Sequence, residues 1–257
     1  KDWLLTSDQN ISGWTHTLER LINATGKDDQ ILSLSRKWLD NNVNSDSYFY
    51  ILSSLLRKEG SDKAELLKLG NNWILSHSDE KFIVEPFRIL YKYAGNNESM
   101  LNAAIVLMTK NEGRTAWPEI FVATVLKNEN NKKLIEMGIE WLKCNSKSKQ
   151  WLGVFCSLFR GENRTQEIFD IGKKWLIDLP DKKYFHGMFS QLIEVDPSDS
   201  ELVLLGKYWL ARNPYENAWP NIFLRITLSG NLDDEFYCIG ERWLNEEINP
   251  EIMGDVY

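Results

Sequence analysis

The residues best able to do chemistry are few and badly placed for it. Three histidines, His16, His77 and His186, lie 61 and 109 residues apart, without the short spacing that brings imidazoles onto one metal ion. Three cysteines, Cys144, Cys156 and Cys238, form no Cys-x-x-Cys pair. An odd, thin set of this kind fits free thiols in a reducing compartment. Asp233, Asp234 and Glu235 place three carboxylates together, but at the start of an expected helix, where negative charge suits the dipole. No Gly-x-x-x-x-Gly-Lys-Ser/Thr, Gly-x-Gly-x-x-Gly or Gly-x-Ser-x-Gly stretch occurs, so no phosphate cradle or nucleophile elbow is signalled. The expectation is a protein that is not an enzyme, with no metal site and no cofactor.

Composition narrows the partners. The formal charge is −7 and the isoelectric point near 5.2, which argues against a duplex nucleic-acid binder that must neutralise phosphates. Hydrophobic residues make up 43% and charged residues 26%, the balance of a chain with a packed core. No run approaches the length of a membrane span, and no charged-then-apolar leader opens the chain. A cytoplasmic protein is expected, and the Asn-x-Ser/Thr triplets at Asn10, Asn23, Asn97 and Asn163 are expected to be unmodified.

The elements that must position these side chains are marked by tryptophan. Trp3, Trp38, Trp73, Trp141, Trp175, Trp209 and Trp243 follow one another at steps of 35, 35, 68, 34, 34 and 34, and Leu107 fills the middle of the double step. Trp14, Trp117, Trp151 and Trp219 each stand 10 or 11 residues after one of these anchors. All the tryptophans thus occupy two positions of one repeat. Apolar residues recur at −7, −4, −3, 0 and +1 from the anchor, which is one face of a helix of 3.6 residues per turn. We name this helix A. The second tryptophan opens helix B, as in Trp151, Phe155, Leu158 and Phe159, or Trp219, Phe223 and Ile226. Pro118 and Pro220 sit where a first helical turn tolerates them. Gly26, Gly60, Gly95, Gly161 and Gly230 stand where helix B should end. Ser61-Asp62 and Asp199-Ser200 then open the next helix A.

The position three before each anchor is always small: Ser35, Gly70, Ala104, Gly138, Gly172, Gly206 and Gly240. A glycine inside a helix costs about 1 kcal/mol relative to alanine. Its repeated use predicts close approach by helix B or by the next helix A. With them, Trp38, Trp73, Trp141, Trp175, Trp209 and Trp243 are the expected repeat core.

The stretches Leu69-Gly70-x-x-Trp73, Ile171-Gly172-x-x-Trp175, Leu205-Gly206-x-x-Trp209 and Ile239-Gly240-x-x-Trp243 resemble the Leu-Gly-x-x-Tyr core of the tetratricopeptide repeat, with Trp for Tyr. The resemblance runs along essentially the whole chain. It implies an all-α, right-handed α-solenoid of about seven 34-residue helix-turn-helix repeats, one domain over 1–257, with partial repeats at 1–26 and 231–257. The family's alanine and proline marks in helix B are mostly missing. In its wealth of tryptophan the chain is similar to the C-terminal sensor arrays of bacterial signal-transducing ATPases with numerous domains (STAND). That likeness implies a fragment of a larger protein, recognising a trigger protein in antiviral defence.

A groove for a protein or peptide partner is expected along the exposed stripe of helix A, at −5, −2 and +2 from the anchor. It comprises Arg36, Lys68, Asn71, Leu75, Asn102, Ile105, Glu136, Ile139, Lys143, Asp170, Lys173, Ile177, Leu204 and Lys207, an apolar strip rimmed by charge. A spacer joining other domains is the alternative, and a helical-repeat nucleic-acid binder a further one.

Overall fold

The protein is seen in a computed structural model that describes residues 1–9, 13–25, 28–58, 63–78, 82–94, 97–178, 182–230 and 232–245. Among them are fifteen α-helices, one short 3-10 turn at Gly161–Asn163, and no strand. The chain divides into two compact units, Lys1–Leu134 and Ile135–Tyr257.

In the first unit the helices are α1 (Asp2–Thr6), α2 (Trp14–Ala24), α3 (Asp29–Asn41), α4 (Tyr48–Lys58), α5 (Lys63–Ser76), α6 (Val84–Ala94), α7 (Glu98–Lys110) and α8 (Ala116–Val125). Helix α9 (Lys132–Cys144) begins at its end. The second unit continues with α10 (Trp151–Leu158), α11 (Gln166–Asp178), α12 (Lys182–Val195), α13 (Ser200–Arg212), α14 (Trp219–Leu228) and α15 (Asp234–Asn245). Odd-numbered helices carry the anchors and are the A helices; even-numbered ones are the B helices. Many pack on a chain neighbour, as α7 on α8 and α13 on α14, and several on the like helix of an adjacent pair, as α2 on α4, α5 on α7, α12 on α14 and α13 on α15. This is a repeat-like, all-helical fold.

The A helices start as expected. The Asp28 carboxylate accepts from the backbone N–H groups of Gln30 and Ile31, Asn97 Oδ1 from Ser99, Asp199 from Leu202 and Asp233 from Phe236. Each satisfies donors that the first helical turn leaves free. Asp233 is thereby a cap, which accounts for the carboxylate cluster. Gly161 and Gly230 take φ of +51° and +75°, the left-handed region in which glycine carries no Cβ penalty. Gly26, Gly60, Gly95, Ser61, Asp62 and the chain after Asn245 lie outside the described residues.

The A helices end on a device that the anchor pattern did not reveal. The side-chain amides of Asn42, Asn111, Asn145 and Asn213 donate to the carbonyls of Trp38, Leu107, Trp141 and Trp209, at 2.8–2.9 Å. Asparagine four residues after the anchor therefore satisfies a carbonyl that the last turn cannot. At the same place in α5, His77 Nδ1 lies 2.9 Å from the Trp73 carbonyl. A signal was present in the sequence, as asparagine recurs at anchor +4.

Candidate functional site

Ten of the eleven tryptophans are buried. Trp3 is the exception at 45% exposed, on the five-residue helix α1, with no preceding B helix among the described residues to cover it. The B-position indoles turn back onto their own A helix. Trp14, Trp151 and Trp219 donate Nε1–H to the carbonyls of Leu4, Leu142 and Leu210, one residue past the anchor. Three anchors bond into the A-to-B linker of the preceding pair, with Trp73 donating to Val43 O, Trp175 to Ser146 O and Trp243 to Pro214 O. Aromatic faces join successive pairs. Trp151 stacks on Trp175 at 4.4 Å and 2°, Trp219 on Trp243 at 4.3 Å and 5°, and Phe185 on Trp209 at 5.2 Å and 10°.

At Gly70, Gly172 and Gly206 the small residue before the anchor sits in a seam between two B helices. A Cβ on Gly172 would lie 2.7 Å from Phe155 of α10 and 2.8 Å from Met188 of α12. On Gly206 it would lie 2.6 Å from Phe189 of α12 and 2.7 Å from Ile226 of α14. Gly70 meets Leu90 and Leu52 in the same way, and Gly240 meets Phe223. Of the two neighbours expected, the B helices make the approach and not the next helix A. Ser35, Ala104 and Gly138 are also buried.

The stripe proves to be two different surfaces. Lys207 is buried, with its ammonium 2.5 Å from the Asp233 carboxylate, so its place on an exposed face is overturned. Arg36, Asn71, Ile105, Ile139 and Lys173, its equivalents at −2, are half-buried, as is Leu75. The reason is that −2 points along the row toward the start of the next A helix. Lys1 pairs with the cap Asp28 at 2.7 Å, Lys173 with the cap Asp199 at 2.9 Å and with Glu201 at 3.0 Å, and Asn71 donates to Ser99 Oγ at 2.8 Å. The hydrogen bonds that the Lys173 ammonium donates to these two carboxylates push its pKa up to about 12. Burial alone would raise the Asp199 carboxyl, but Lys173 and the Leu202 amide together hold it below its ordinary value. Lys207 does the same to Asp233, aided by the Phe236 amide.

Exposed are Lys68, Asn102, Glu136, Asp170 and Leu204 at −5, Lys143 and Ile177 at +2, and a row at −1 that the stripe omitted. That row is Lys37, Asn72, Val106, Glu140, Lys174, Tyr208 and Arg242. Moving from −2 to −1 turns the ridge by about 100° around the helix, from the neighbouring helix toward solvent.

In the second unit this ridge opens into two grooves one repeat apart. The first, about 420 Å³, is lined by Leu142, Lys143, Ser146, Lys147, Lys174 and Asp178 among others. The second, about 430 Å³, is lined by Leu176, Ile177, Phe185, Leu205, Tyr208 and Arg212. Leu142 matches Leu176, Lys143 matches Ile177, Lys174 matches Tyr208 and Asp178 matches Arg212, each pair 34 residues apart. The apolar floor repeats, with Trp151, Ile171 and Trp175 in the first groove and Phe185, Leu205 and Trp209 in the second, while the rim changes from Lys143, Lys174 and Asp178 to Ile177, Tyr208 and Arg212. The first unit holds a further groove of about 730 Å³ on its B side, with Phe49, Tyr50, Phe82, Arg57 and Glu85 in its wall. It falls outside the helix A stripe and was not anticipated.

Among the described residues no group of three or more His, Cys, Asp or Glu could hold a metal ion, and none of their helices is long and apolar enough to cross a membrane. Burial and then the Arg225 charge push His186 below its ordinary value. Burial pushes the Cys156 thiol up, away from the thiolate that a nucleophile needs. Compared with known proteins, the chain matches no family model, no curated protein and no solved structure.

Proposed function

We propose that the chain is a tetratricopeptide-like, right-handed α-solenoid of about seven 34-residue repeats that recognises a protein or peptide partner, on the exposed ridge of its A helices. The observation that carries this reading is the contrast between an interior that repeats and a surface that does not. Buried indole, small residue and N-cap return every 34 or 35 residues, whereas the −1 ridge position changes from Lys37 through Val106 and Lys174 to Tyr208. A spacer has no need of exposed apolar side chains. Yet Leu204 and Tyr208 are 61% and 54% exposed on successive turns of α13, with Ile177 at 46% on α11. Clustered exposed apolar residues mark interaction surfaces. The acidic net charge and the free cysteines fit a cytoplasmic partner-binding module, and the tryptophan style fits the sensor part of a STAND-type protein.

The test uses Ile177→Asp with Leu204→Asp, both exposed and therefore neutral to folding. The two forms are compared for retention of partner protein from the native host, with far-ultraviolet circular dichroism as the folding control. Loss of one identified partner in the double variant, with helicity intact, supports the reading. A partner held equally by both forms, or none, removes it. Saturable oligonucleotide binding at physiological salt would replace it with nucleic-acid recognition.

A further inference from the structure

The two grooves of the second unit permit a sharper statement, which rests on the recognition reading above. They are the same place in consecutive pairs of helices, so their separation is that of neighbouring A helices. Packed helices lie about 8–10 Å apart, and an extended chain rises about 3.3 Å per residue, so three residues of peptide reach from one groove to the next. The chemistry of the two is different. Over a floor of Trp151, Ile171 and Trp175, the rim of the first gathers Lys143, Lys147 and Lys174 against the single carboxylate of Asp178. Lys143 already pairs with Glu167 at 3.0 Å, but Lys147 and Lys174 are exposed. The second groove is walled by Leu176, Ile177, Phe185, Leu205 and Tyr208. Its one cation, Arg212, lies 4.3 Å from the centre of the Tyr208 ring, which fixes the guanidinium over an aromatic face.

We propose that these grooves are adjacent subsites for one extended segment of a partner protein, the first taking an acidic side chain and the second an apolar one three residues away. Charge complementarity selects the occupant of the first. Removal of aliphatic or aromatic surface from water drives entry into the second. An overall charge of −7 disfavours a polyanion such as nucleic acid and leaves the lysine groove as a local attraction for a short acidic stretch.

Random dodecamer peptides displayed on phage and selected on the full chain test this directly. The expected result is enrichment of Asp or Glu three residues from Leu, Ile, Phe or Met. Lys147→Glu with Lys174→Glu changes only exposed side chains. It should turn the acidic preference into one for Lys or Arg, and weaken a synthetic consensus peptide at least about tenfold. Ile177→Asp should erase the apolar preference and leave the acidic one. Enriched peptides that ignore all these substitutions overturn the two-subsite proposal while leaving a recognition array in place. A seven-residue spacing, that of a helical ligand, overturns it equally, as does an absence of enrichment. If the lysine reversal instead abolishes saturable binding of a single-stranded oligonucleotide, the site is a phosphate site and the proposal is wrong.

Discussion

Gly172 and Gly153 are both helical glycines, and they should respond oppositely to the same methyl group. A Cβ at Gly172 would meet the Phe155 ring at 2.7 Å, whereas one at Gly153 meets nothing within 4 Å. Gly172→Ala is expected to lose stability by about 1–3 kcal/mol through overpacking. Gly153→Ala is expected to be neutral or to gain up to about 1 kcal/mol from helix propensity. Paired urea denaturation curves with unchanged slope decide the matter, and equal shifts would remove close approach as the reason for the glycine. A second residue-scale test is Asn213→Ala, which frees the Trp209 carbonyl at the end of α13. About 1 kcal/mol should be lost, with Asn145→Ala behaving alike in α9. Large rings and absent side chains leave strong marks in a sequence, which is why the indole and glycine places could be read there. The asparagine cap left a weaker one, since asparagine is common in loops for several reasons.

At the scale of the element, lysines of the row at −2 link some A helices to the next through a cap. Lys173 bridges α11 to the start of α13, and Lys207 bridges α13 to the start of α15. The Asp199 carboxyl is held below its ordinary value, so its share of stability is present above about pH 4. That share fades as pH falls through the lower folded value. Lys173 is raised to about 12, so its share is complete below about pH 10.4 and fades as pH climbs through about 12. Asp199→Asn should therefore flatten the acid limb of a melting-temperature profile, and Lys173→Met should flatten both limbs. A profile unchanged in either variant would show that the pair contributes nothing measurable, as exposed pairs often do. The sequence placed these lysines correctly on helix A but on the wrong side of it. Periodicity fixes which face is apolar. The direction in which the adjacent helix leans, and hence whether −2 or −1 meets water, follows from side-chain volumes in the seam.

Over the molecule as a whole, stability in a stacked array approximates a sum of local and nearest-neighbour contributions. Trp219 shows what such locality predicts. Its indole N–H satisfies the Leu210 carbonyl at the end of α13, and its ring stacks on Phe223 at 4.9 Å within α14 and on Trp243 of α15 at 4.3 Å. Truncation to alanine removes all three links and leaves a cavity, a loss of about 3–5 kcal/mol. None of these three links involves α3–α6, whose own seam is closed by Tyr48 and Phe49 on Trp73. Hydrogen exchange followed by mass spectrometry on Trp219→Ala should accordingly show faster exchange through α13, α14 and α15, and amides of α3–α6 protected as before. A globular core would transmit the loss everywhere, because opening any part would then need the whole to unfold. Uniform deprotection of all the helices would thus exclude an array built of neighbour contacts, and with it the basis for a row of independently variable surface sites.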